Sequence, residues 1–155
     1  DWQVFNCGVN GERSDQIAAR LDRDVLRRQP AVVVIIAGVN DVYQGRPAAH
    51  VTSQLTAMYD GAAAAGIAIV AGTIVPYNTA TADQNARMHA INDWVKQQTA
   101  TRKRFQVADT RAATARRDDP DRLAGSPDGL HPDADGYHAM ARVIAPLIER
   151  ALAAS

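Results

Sequence analysis

Apolar stretches of strand length alternate with amphipathic stretches of helix length along this chain. Trp2 to Asn6 reads as a short strand. Ser14 is a good N-cap, and Ile17, Leu21 and Val25 follow at helical spacing until Pro30 blocks continuation. Ala31 to Ala37 (AVVVIIA) is β-branched and apolar on both faces, the pattern of a strand covered by helices on either side. Pro47 can open a second helix with Val51, Leu55, Met58 and Ala62 on one face, closed by Gly66. Ile67 to Thr73 reads as a third strand, Thr81 to Thr99 as a third helix with Met88, Ile91 and Val95 inward, and Phe105 to Ala108 as a fourth strand. From Asp133 a final helix carries Met140, Val143, Ile144, Leu147 and Ala151 on one stripe, with Pro146 expected to kink it. Arg116 to Pro127 is the longest loop-like stretch.

The order β-α-β-α-β-α-β-α predicts a parallel sheet with helices on both faces, an α/β fold in which ligands sit outside the carboxyl ends of the strands. The 155 residues suit one domain, spanning 1–155.

Composition narrows the function. Lys+Arg and Asp+Glu both number 17, and a chain without a basic excess is a poor candidate for nucleic acid. No apolar run is long enough for a membrane span. The single cysteine, Cys7, excludes an intramolecular disulfide and a multi-cysteine zinc site, and its place after a short apolar run reads as an inert thiol.

Three polar clusters fall after predicted strands: Asn6-Cys-Gly-Val-Asn-Gly-Glu-Arg-Ser14, Ala37-Gly-Val-Asn-Asp41, and Asp128-Gly-Leu-His131-Pro. Asp and His three apart around a Gly can fold back, so that the carboxylate meets imidazole Nδ1 and leaves Nε2 free to take a proton from a hydroxyl. The plainer reading is a turn before a helix. An EF-hand fails here, because His131 occupies its first position and Arg142 the place of its bidentate Glu. Asn40 can point an amide into a cleft, or merely form a turn with Asp41. Gly8 and Gly11 lie in a loop feeding a helix N-terminus, where free N–H groups suit an oxyanion; the spacing is not a dinucleotide fingerprint.

Together, Asn6-Cys-Gly-Val-Asn-Gly11, Gly38-Val-Asn-Asp41 and Asp128-Gly-Leu-His131-Pro resemble blocks II, III and V of the SGNH (GDSL-like) hydrolases, in the right order across essentially the whole chain. The resemblance implies a three-layer α/β/α sandwich on a five-stranded parallel sheet, flavodoxin-like in type. It implies hydrolysis of acyl esters, thioesters or acetylated sugars, without metal or cofactor. By the same resemblance Asp128 and His131 are the acid and base of a triad, and Gly11 N–H and the Asn40 amide form the oxyanion hole.

Block I, the Gly-Asp-Ser segment that holds the nucleophile, has no counterpart here. Of the four serines, Ser14 reads as a cap, Ser53 as helical, Ser126 as a loop residue and Ser155 as the terminus. The family's sheet order, 2-1-3-4-5, puts the absent strand between the first two strands predicted here. Unpaired edges and exposed apolar faces should follow. The expectation is about 20 to 50 further N-terminal residues, enough for one strand and the serine turn. The alternative is a non-catalytic carbohydrate- or acyl-binding module on the same scaffold. A nucleotide-binding domain is disfavoured by the lack of a glycine-rich phosphate loop.

Overall fold

A computed structural model describes residues 2–154. Strands β1 (Val32–Ile35), β2 (Ala68–Gly72) and β3 (Phe105–Ala108) form one parallel sheet in the order β1-β2-β3. Val32 pairs with Ala68, and Ile69 with Phe105. The central strand β2 is buried along its whole length, as a run apolar on both faces requires.

Helices α1 (Ser14–Ala19), α2 (Leu21–Asp24), α3 (Val39–Tyr43), α4 (Ala48–Ala64) and α5 (Ala82–Gln97) precede β3; α6 (Thr110–Thr114) and α7 (Ala134–Ala153) follow it. Val51, Leu55, Met58 and Ala62 of α4 join Met88, Ile91 and Val95 of α5 in a core over Ile35, Ile69, Ala71 and Phe105 of the sheet. The opposite face carries α7, which crosses all three strands and packs on α6. The result is a helix–sheet–helix sandwich. Thr81 caps α5 with a reciprocal Gln84 bond, and Asp133 caps α7 through Gly136 N–H. Pro146 lies within α7 without ending it.

Three expectations need correction. Trp2 to Asn6 forms no strand: the segment is irregular and solvent-facing, with Val4 77% exposed. A strand is stable only when its backbone groups find partners, and these residues pair with no neighbour in the sheet. The first predicted helix breaks at Arg20 into α1 and α2, then one 3-10 turn, Leu26–Arg28. The short helices α3 and α6 lie where no helix is predicted.

The outer edge of β1 has no partner strand among the described residues. Beside it Val34 and Ile36 are exposed, and the apolar stripe of α7 is fully covered only at Ala151.

Candidate active site

The Gly38–Asp41 cluster follows β1 directly, Glu12 and Ser14 of the first cluster bond to it, and the Asp128–His131 turn bonds to Asn78, which follows β2. After β1 the chain turns at Gly38, whose φ is +116° and whose added Cβ would lie 2.7 Å from Val51 Cγ1 and 2.9 Å from Ile74 Cδ1. Only glycine meets both demands. Helix α3 then starts at once and sets Asn40 and Asp41 on its first turn.

Asp41 is fully buried, and its partner is Ser14. Ser14 N–H donates to Asp41 Oδ2 and Ser14 Oγ donates to Oδ1, each at 2.8 Å. Ser14 is therefore no N-cap: Arg13 holds that position, and Ser14 lies in the first turn with its hydroxyl spent on a buried carboxylate. Asn40 Nδ2 donates to the Glu12 carbonyl at 2.9 Å, leaving the amide's second N–H for another acceptor. Gly11 precedes Glu12 at φ +79° in a turn closed by Glu12 N–H on Val9 O, and its own N–H has no partner among the described residues. Three bonds thus tie the end of the Gly11 loop to the start of α3.

His50 Nε2 lies 3.9 Å from Asp41 Oδ1 with no hydrogen bond, and Asp15 completes a group of three whose ligand atoms fall within 4.8 Å of one another. Ser14 occupies both Asp41 oxygens and Arg13 both Asp15 oxygens, so the two carboxylates are braced by hydrogen bonds while His50 Nε2 is not.

Asp128 and His131 meet as the spacing allows. Asp128 Oδ2 lies 2.7 Å from His131 Nδ1, while Oδ1 accepts the Leu130 and His131 backbone N–H groups at 2.8 Å each. Gly129 sits between them at φ +76°. The His131 ring, then its backbone N–H and that of Leu130, hold the Asp128 carboxyl well below the usual carboxylate range. Both side chains face solvent, 48% and 58% exposed, and His131 Nε2 has no partner among the described residues. Ser126 Oγ donates to the His131 carbonyl at 2.6 Å and accepts Gly129 N–H, so this hydroxyl builds the turn and does not address the imidazole. Ser53 lies on the exposed side of α4, and Ser155 lies outside the described residues. No hydrogen bond joins the Gly11–Asn40 pair to the Asp128–His131 pair among the described residues.

Other readings shift. Cys7 is half-buried, its thiol 3.5 Å from the Asp24 carbonyl. His89, which has no evident partner in the sequence, pairs with Asp121 at 2.6 Å. Val42, Pro76 and Tyr77 are buried, while Tyr43 is exposed, edge-on to the Tyr77 ring.

Residues 1–139 match the GDSL-like Lipase/Acylhydrolase family. The chain belongs to that family. A GDSL-like lipase from Bacteroides thetaiotaomicron VPI-5482 superposes with a TM-score of 0.85 at 23% identity, over 93% of this chain and 74% of that one. An acetyl esterase mutant with acetate ion gives a TM-score of 0.74 at 30% identity, over 94% and 70%. A carbohydrate esterase family 3 protein from Talaromyces cellulolyticus gives 0.71 at 29% identity, again over 94% and 70%. No curated protein matches in sequence. The chain is thus an ester-hydrolysing enzyme of the SGNH fold. No described helix is long and apolar enough to cross a membrane.

Proposed function

We propose that this hydrolase cleaves carboxylic esters with a Ser-His-Asp triad in which Asp128 is the acid and His131 the base, the serine lying on a segment upstream of residue 1. The observation that carries the reading is the 2.7 Å contact of Asp128 Oδ2 with His131 Nδ1, which fixes the tautomer and leaves Nε2 to work. The serine oxygen attacks the ester carbonyl as Nε2 takes its proton. Nε2 returns that proton to the departing alkoxide, and water then releases the acyl group by the same route. Gly11 N–H and the second N–H of the Asn40 amide stabilise the oxyanion. A strand in that upstream segment would pair the bare edge of β1.

Acyl esters, thioesters and acetylated sugars all suit this chemistry. The likeness to an acetyl esterase and to a carbohydrate esterase favours acetylated sugars among them. The test measures acetate release from acetylated oligosaccharides by the full-length protein and its His131→Ala variant. The variant should lose about 10,000-fold in kcat or more. Undiminished turnover would remove His131 from the mechanism.

A further inference from the structure

We infer that Asn78 is a positioning residue for the Asp128–His131 turn, an inference that rests on the triad reading. The pair stands in solvent, and the bonds described above close the turn only upon itself. Something must also fix it relative to the sheet.

Asn78 does so through three groups. Its backbone N–H donates to the Gly129 carbonyl at 2.6 Å. Its Oδ1 accepts the N–H of buried Leu123 at 2.9 Å, and its own carbonyl accepts from the Arg122 guanidinium. A Cβ added at Gly129 would stand 3.6 Å from Asn78 Cβ, so the turn rests against this side chain. One residue thereby grips the turn between acid and base, and the loop that delivers it.

The grip matters because Asn78 stands on a fixed platform. Asn92 of α5 is buried and bonds both backbone groups of Ile74, accepting its N–H at 2.7 Å and donating to its carbonyl at 3.0 Å. Pro76 and Tyr77, just beyond, are buried. The path from β2 to Asn78 is therefore rigid, and Asn78 transfers that rigidity to a turn with few contacts of its own. A base displaced by about 1 Å can cost on the order of 100-fold in rate.

The experiment compares Asn78→Ala, Asn78→Asp and Asn78→Gln in the full-length enzyme, using a chromogenic acetyl ester. Asp keeps an acceptor at the Oδ1 position, Gln moves it outward by one methylene, and Ala removes it. Asn78→Ala should lower kcat by about 10- to 100-fold with KM changed less than about twofold, Gln should be impaired, and Asp should recover most of the rate. Long-range ¹H–¹⁵N spectra should show the His131 ring keeping its Nδ1–H tautomer signature in all three variants, because Asp128 holds the ring from within the turn, so the rate loss reports displacement of an intact pair. If Ala is too unstable to assay, the contrast between Asp and Gln decides. Equal rates in Asp and Gln, a wild-type kcat in Ala, or loss of the His131 tautomer signature in Ala overturn the positioning role. Asp128→Asn, run alongside, separates the two claims: if it stays fully active the triad itself falls, and this inference with it.

Discussion

Asp128 holds His131 at both ends, taking the ring through Oδ2 at 2.7 Å and the backbone N–H through Oδ1 at 2.8 Å. The carboxylate that orients the base also builds the turn on which the base stands. Asp128→Asn should keep the Oδ1 contacts and lose the tautomer control, lowering kcat by about 10,000-fold with little change in thermal midpoint. Steady-state kinetics beside a melting curve checks this. Because the His131 contact keeps Asp128 ionised well below the usual carboxylate range, protonation of Asp128 should contribute nothing to any loss of activity toward mild acid.

Asn40 spends one N–H on the Glu12 carbonyl, which fixes the plane of its amide. Asn40→Ala should reduce kcat by about 100- to 1,000-fold and leave KM nearly unchanged, because the missing donor serves only the developing oxyanion. An unchanged kcat would remove Asn40 from the oxyanion hole.

Ser14 and Asp41 are both fully buried and bonded twice. Ser14→Ala should cost about 1.5–3 kcal/mol of unfolding free energy, the range for a hydrogen bond to a charged group. Urea unfolding of the variant beside wild type measures this directly.

Asp109 caps α6 through Ala112 N–H at 3.1 Å, accepts from Thr73 Oγ and pairs with Lys96 at 2.7 Å. Burial pushes its pKa up, but the Lys96 contact and the cap outweigh burial and bring it below the ordinary value. A carboxyl whose folded pKa is depressed stabilises the protein above its unfolded pKa, and that stability is lost as pH falls through the folded value. Asp109→Ala should therefore cost about 1–2 kcal/mol at neutral pH, and the gap from wild type should close as the acid is titrated. Chemical unfolding across the acid range tests the sign.

The elements with strong periodicity were legible in the sequence. β1 reads from its β-branched run, α4 and α5 from Val51, Leu55, Met58 and from Met88, Ile91, Val95, and α7 from the stripe that starts at Asp133. Trp2 to Asn6 misleads because apolar content alone does not make a strand without a neighbour to bond. The Asp128–His131 contact was legible because it spans three residues. The Ser14–Asp41 pair joins residues 27 apart, and the Asn78 bonds to Leu123 and Gly129 reach 45 and 51 along the chain. No local pattern marks such partners; only the folded topology brings them together.

The central claim is that the nucleophile is a serine upstream of residue 1, served by His131. Fluorophosphonate labelling of the full-length protein, with peptide mapping of the adduct, tests it most directly. The account predicts a single labelled serine on a peptide preceding Asp1, with labelling lost in His131→Ala. A label on Ser14, Ser53, Ser126 or Ser155, or none on protein shown to be folded, would contradict it.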